Sequence, residues 1–160
     1  MKLYIVNDDY IKYLKQFEKK VPDNKNESRP YLGIVLRIES ILYFAPLSSP
    51  KLKHLKMKEN ITFTKIKNGE YGVINFNNMI PVLEDDLNFL VPKEKTRIEL
   101  IKNEIKWISS NKKNIRKKAK QLYNLFMMNK LPKHNFKMCN NFKILEEKMV
   151  EWKKIKKEVK

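Results

Sequence analysis

The hydrophobic pattern changes period near residue 93, and that change most restricts the folds open to this chain. Up to residue 92 the apolar residues come in short β-rich runs split by turn residues: YLGIVLRI at 31–38, ILYFAP at 41–46, ITFT at 61–64, YGVINF at 71–76 and MIPV at 79–82. Beyond that point they recur every three or four residues. Ile98, Ile101, Ile105 and Ile108 form one stripe, Ile115, Ala119, Leu122 and Phe126 a second, and Phe142, Leu145, Met149 and Trp152 a third. Side chains alternate across a strand but return to one face of a helix every third or fourth residue. The pattern therefore predicts an α+β fold. A strongly twisted antiparallel sheet, or small open barrel, would come from the first part and would be packed with about four helices.

Local signals sharpen the elements. Leu3–Val6 reads as a short strand, and Asn7 as the cap of a helix with Asp8 and Asp9 in its first turn, where the helix dipole favours negative charge. KVPDNKNESRP at 20–30 is a polar loop with two prolines. Glu39-Ser40 is a tight hairpin turn. The three later helices are expected over 94–108, 112–130 and 142–156. Ser109-Ser110-Asn111 would break the first from the second, and Leu131-Pro132 would end the second. At 160 residues the whole chain, 1–160, is expected to be one domain with its own core.

Charge narrows the function. The chain holds 35 Lys and Arg against 18 Asp and Glu, a net of +17. Residues 1–92 hold 14 basic and 11 acidic residues, a net of +3; residues 93–160 hold 21 and 7, a net of +14. A lysine-rich proteome raises Lys and Glu together, so it accounts for the lysines better than for the imbalance. The imbalance favours a polyanionic partner over an anionic membrane surface. Three glycines and the absence of GxGxxG or GxxxxGK[ST] argue against a glycine-rich phosphate loop. The one cysteine, Cys139, excludes an internal disulfide and suits a reducing, cytoplasmic setting. No window reaches the roughly 18 apolar residues that a membrane-spanning helix needs. His54 and His134 lack ligand spacing, and the acidic run Glu84-Asp85-Asp86 reads as a cap, so neither metal nor other cofactor is expected.

RNA cleavage without a metal needs a base for the 2′-hydroxyl, an acid for the 5′-oxygen, and cations for the crowded phosphorane. In APLSSPKLKH (45–54), Ser48, Ser49, Lys51 and Lys53 put hydroxyls and ammonium groups within reach of one phosphate. From local sequence alone, a solvated turn explains the same residues more simply. Aromatic and basic residues interleave in the first half, as single-stranded RNA binding requires. Phe17, Tyr31 and Tyr43 also lie in apolar patterns that suit a core; Tyr10 is the better surface candidate. Lys113, Arg116, Lys117 and Lys120, in the basic run KKNIRKKAK, form a candidate face for an RNA backbone.

Five segments, in order, resemble the ToxN/AbiQ family of endoribonuclease toxins from type III toxin–antitoxin systems: MKLYIVNDDYIKYLKQFEKKVP, YLGIVLRI, APLSSPKLKH, GVINFNNMIPV and CNNFKILEEK. The resemblance covers nearly the whole chain and is weakest between about 84 and 130. It implies a fold related to the MazF/Kid-type toxins. It also implies metal-independent cleavage of cellular RNA, leaving a 2′,3′-cyclic phosphate and a 5′-hydroxyl. The implied partner is a tandem-repeat antitoxin RNA that the toxin cuts into pseudoknotted units and that then inhibits it within a closed protein–RNA assembly. A role in phage abortive infection goes with this reading.

The resemblance puts the family's hydroxyl pair at Ser48 and Ser49, its active-site lysine at Lys51, and a second basic residue at Arg29, where a lysine is the expected pattern. Arginine can steady a phosphorane but can hardly exchange a proton near neutrality. Tyr10 falls on a tyrosine lining the RNA groove, with Tyr31 as a further RNA-contact candidate. His54 falls on a substrate contact. Asn75, Met79, Phe142 and Glu146 fall on segments that read as scaffold or groove wall. Two other readings stay open: an RNA-binding module without catalysis, and a MazF-like toxin held by a protein antitoxin.

Overall fold

The structure, a computed structural model, describes residues 1–159. Seven strands form one antiparallel sheet: β1 (Lys2–Val6), β2 (Tyr31–Ile38), β3 (Ile41–Ser48), β4 (Phe63–Lys65), β5 (Val73–Asn75), β6 (Ile80–Pro81) and β7 (Leu87–Phe89). Their order is β4-β5-β3-β2-β1-β7, with β6 also paired to β3. The sheet stays open, with β4 and β7 at its edges. β2 and β3 form the expected hairpin, pairing Ile38 with Ile41 across a turn in which Glu39 takes a positive φ of 53°. β7 is an addition to the sequence reading; its LNF carries too short a pattern to announce a strand.

Five helices surround the sheet: α1 (Asp8–Lys15), α2 (Leu52–Lys56), α3 (Lys95–Met127), α4 (Lys133–Met138) and α5 (Phe142–Val159). α1 begins as its sequence dictates, the Asp9 amide donating to Asn7 Oδ1 at 2.8 Å. The break expected at 109–111 is absent, because α3 runs unbroken for 33 residues. Ser110 Oγ bonds the Lys106 carbonyl at 3.3 Å and Asn111 Nδ2 the Trp107 carbonyl at 2.8 Å, so these polar side chains are absorbed by the preceding turn. Ile108 and Ile115 stay buried on either side, which keeps the helix seated on the sheet. Asn129, at φ 56°, ends it. The Asn129 amide donates to the Phe126 carbonyl and the Lys130 amide to the Leu125 carbonyl, a Schellman closure.

The two faces of the sheet carry separate cores. One packs Leu32, Tyr43, Leu47 and Ile74 under α3 and Phe142 of α5. The other packs Phe44, Ile80 and Leu42 under α1 and the next turns of α5, at Leu145 and Met149. Glu146 lies at the seam, where one carboxylate oxygen accepts from Tyr43 Oη at 2.6 Å and from Tyr123 Oη at 2.7 Å. That makes Glu146 scaffold. Asp86, from the acidic run, is buried and accepts from Trp152 Nε1 and Lys156 Nζ at 2.9 Å each, which pins α5 to the sheet edge.

Glu104 is the exception on the buried face of α3. It is only 4% exposed, and burial, offset in part by the Arg97 charge, pushes its carboxyl up to about 7. The folded state therefore keeps a proton that the unfolded chain releases near pH 4.5. Stability falls as pH rises between these two values and stays low above them. Glu104→Gln is expected to stabilise the protein at pH 8 by about 2 kcal/mol and to have little effect at pH 4, read from urea denaturation at both pH values.

Candidate active site

β3 is the strand that brings the site together. Its last pairs, Leu47 with Ile74 and Ser48 with Val73, bind it to β5, and the Leu47 amide donates to the Pro30 carbonyl at 2.9 Å on the other side. Arg29, just before β2, is thereby fixed beside the end of β3. Its Nε donates to the Asp23 carbonyl at 2.7 Å, and one terminal nitrogen lies 3.5 Å from the Leu47 carbonyl. The half-buried Ser48 accepts from Asn75 Nδ2 at 2.8 Å. With a donor already supplied to its oxygen, the Ser48 hydroxyl keeps its own proton to offer outward. Asn75, expected as packing beneath the site, thus touches the hydroxyl directly.

Ser49 and Lys51 are exposed on the turn that follows. Lys51 precedes α2, and the turn is closed by reciprocal bonds: the His54 amide to the Lys51 carbonyl at 2.9 Å, and the Lys51 amide to His54 Nδ1 at 3.2 Å. His54 is 2% exposed, and burial, followed by the charges of Lys53 and Lys51, holds its pKa below the usual histidine value. The ring stays neutral at pH 7, as an acceptor at Nδ1 must be. The expected substrate contact at His54 is therefore corrected to a buried clamp on the Lys51 turn. Lys53 projects from α2 beside it and is exposed.

Two further expectations change. Tyr10 is 0% exposed, its hydroxyl donating to the Pro81 carbonyl at 2.6 Å and its ring beside Trp152. Tyr31 is also 0% exposed, within the α1-side core. Neither ring has a surface on which a base could stack, because α1 and α5 cover that face of the sheet. Lys113, Arg116, Lys117 and Lys120 are exposed as expected, but they form a separate patch. Arg116 Nε reaches the Ile34 carbonyl at 3.4 Å, and with Lys120 it lines a shallow groove along β2 at Ile34–Arg37. From the same run Lys118 turns inward to the Phe63 carbonyl and Thr64 Oγ1, at 2.6 and 3.0 Å.

The structure adds two cations that no motif signalled. Arg97, in the first turn of α3, donates to the Ser28 carbonyl at 2.7 Å and so caps the loop before Arg29. Lys25, in that loop, feels the charges of Arg29, Lys51 and Arg97. Among the described residues, no group of three or more His, Cys, Asp or Glu side chains is placed to hold a metal. Among the same residues, no helix is long and apolar enough to cross a membrane.

Two adjacent hydroxyls, with Arg29 and Lys51 beside them at the end of an open antiparallel sheet on a chain of net charge +17, form a candidate site for a polyanion. Comparison with known proteins narrows the class. A profile of the family described as toxin ToxN, type III toxin–antitoxin system, matches residues 2–150. The chain is 35% identical to Endoribonuclease ToxN of Pectobacterium atrosepticum, over 92% of this chain and 91% of that protein. It is 29% identical to Endoribonuclease AbiQ of Lactococcus lactis subsp. lactis, over 92% of this chain and 87% of that protein. A solved structure of AbiQ, a lactococcal anti-phage endoribonuclease belonging to the type III toxin–antitoxin system, superposes with a TM-score of 0.83. That match has 27% identity and covers 96% of this chain and 98% of the other. The chain belongs to the ToxN family.

Two glycines allow the site turn to be approached closely. Gly72, at φ 96°, packs so tightly that a Cβ there would collide with the Ser48 carbonyl oxygen; Gly69, at φ 95°, lies against the His54 carbonyl. Gly72→Ala combines a disfavoured φ with that collision, and is expected to destabilise the protein by about 2 kcal/mol or more. Chemical denaturation would measure it. An unchanged midpoint would mean that the Ser48 turn yields freely.

Proposed function

We propose that this protein is a metal-independent endoribonuclease toxin that cleaves cellular RNA in the cytoplasm and is held in check by a repeat-derived, pseudoknotted antitoxin RNA. The observation that carries the reading is the convergence of Arg29, Ser48 and the Ser49–Lys51 turn at the end of β3 in a chain of this family. In the mechanism that fits, the 2′-oxygen attacks phosphorus in line while the bond to the 5′-oxygen breaks, leaving a 2′,3′-cyclic phosphate and a 5′-hydroxyl. Lys51 and Ser49 assist proton transfer, since Arg29 keeps its proton near neutrality. Arg29 and the outward Ser48 hydroxyl steady the non-bridging oxygens. The antitoxin RNA is read as occupying the same site within a closed assembly, with the patch at Lys113–Lys120 as a second face for phosphates. The relatives support this partner: one structure with a TM-score of 0.76 and 29% identity concerns selective toxin inhibition by a non-coding RNA pseudoknot.

Ser49→Ala and Lys51→Ala are each expected to abolish growth arrest on expression while leaving the circular dichroism spectrum unchanged. Persisting toxicity in both would remove this turn from the chemistry. RNA incubated with the wild type in EDTA should gain 5′-hydroxyl ends; a protein that binds the RNA without producing them is a binding module only. Asn75→Asp is expected to lower single-turnover cleavage by roughly 10- to 100-fold, because the Ser48 hydroxyl would turn its proton onto the new carboxylate. Asn75→Ala should lose less.

A further inference from the structure

The loop Asp23–Arg29 is held more firmly than a polar connection requires. Lys25, Asn26 and Glu27 all take positive φ, at 49°, 54° and 61°. A run of non-glycine residues in this region is unfavourable unless the surroundings enforce it. Here they do. Asn24 Nδ2 is anchored on the Val6 carbonyl at 2.8 Å, Ser28 Oγ closes on the Lys25 carbonyl at 2.6 Å, and Arg97 clasps the Ser28 carbonyl from α3. The Arg29 amide also donates to the Asn24 carbonyl at 3.3 Å, which fixes the backbone of Lys25 beside Arg29, where the charges of Lys51 and Arg97 reach it too.

The acidic residues of this loop are turned elsewhere. Asp23 pairs with Lys15, and Glu27 Oε1 accepts from the Asp8 amide at 2.9 Å, while Asp8 itself pairs with Lys12. Among the described residues, no ion pair involves Lys25, Arg29, Lys51 or Arg97. Asp23 feels the Arg29 charge and Glu104 that of Arg97, but neither forms an ion pair with them, so the cluster keeps an excess of positive charge that an anion would relieve.

We propose that Lys25 is a further catalytic residue of this site, its ammonium contacting the phosphate of the scissile linkage together with Lys51 and Arg29 and stabilising the negative charge that grows there. This rests on the ribonuclease reading above. The Arg29 charge, then partial burial, then Lys51 and Arg97 hold the Lys25 ammonium below the ordinary lysine value, which is the direction a phosphate would reverse. No proton need leave Lys25: the bond from the 2′-oxygen forms and the bond to the 5′-oxygen breaks while the ammonium stays charged.

The test compares Lys25→Gln and Lys25→Arg with the wild type. Single-turnover cleavage of an RNA that the wild type cuts is expected to fall roughly 10- to 100-fold in Lys25→Gln and to recover mostly in Lys25→Arg. Binding of a short single-stranded RNA, 2′-O-methylated throughout so that it cannot be cut, should show a log–log salt dependence shallower by about one phosphate contact in Lys25→Gln. A structural role would instead lower the melting temperature of both variants and leave the salt slope unchanged, which overturns the proposal. So does wild-type cleavage by Lys25→Gln. Absence of any cutting by the wild type would fail the ribonuclease reading alone, since the salt slope still decides whether Lys25 meets a phosphate.

Discussion

The saturation of β3 is the constraint on which the rest of the structure depends. This strand bonds to β2 along one edge and to β5 and β6 along the other. Its residues 42–47 are all buried, those from one face under α3 and those from the other under α1 and α5. A strand with no free edge and two covered faces has a register fixed by both cores, since a slip of one residue would send every side chain to the wrong side. Only at Ser48 does burial end, so the Ser-Ser-Pro-Lys turn emerges from the most rigid part of the molecule. The catalytic role proposed for this turn needs that fixed base, because transition-state stabilisation depends on donors held in place before the charge develops.

Electrostatics completes the arrangement by omission. Several acidic side chains of the first half are engaged elsewhere: Asp8 with Lys12, Asp23 with Lys15, Asp86 with Trp152 and Lys156. Among the described residues, the cations around Ser48 are left out of these ion pairs. A chain that neutralised them internally would be more stable, and it would bind a phosphate less well. The excess of positive charge is thus a local property of the end of β3 and of the patch on α3, as well as a global one.

Much of this was legible in the residues. Arg29, Ser48, Ser49 and Lys51 could be picked out because a motif holds hydroxyls and cations within a few positions, and the β2–β3 hairpin because its turn is two residues long. Tyr10, Tyr31 and His54 were misplaced for one shared reason. Whether an aromatic or imidazole ring meets water depends on what packs above it, and the covering elements for the tyrosines are α1 and α5, one of them more than a hundred residues away in the chain. Ser110 and Asn111 read as a helix break because their side chains compete for backbone groups; in α3 they bond to the carbonyls of the preceding turn instead. Lys25 and Arg97 carry no local signal, being a loop lysine and a helix arginine among 35 basic residues.

By itself the sequence determined the periods of its elements, the turns between them, the imbalance of charge and the chemistry available at Ser48–Lys51, because each is a property of neighbours along the chain. The tertiary structure alone decided which side chains meet. Sheet pairing set Asn75 against Ser48 and Arg29 against Leu47, helix packing withdrew the Tyr10 and Tyr31 rings from solvent, and one bond from Arg97 to the Ser28 carbonyl fastened the loop that carries Lys25. Such contacts join positions tens of residues apart, and short-range periodicity has no term for them.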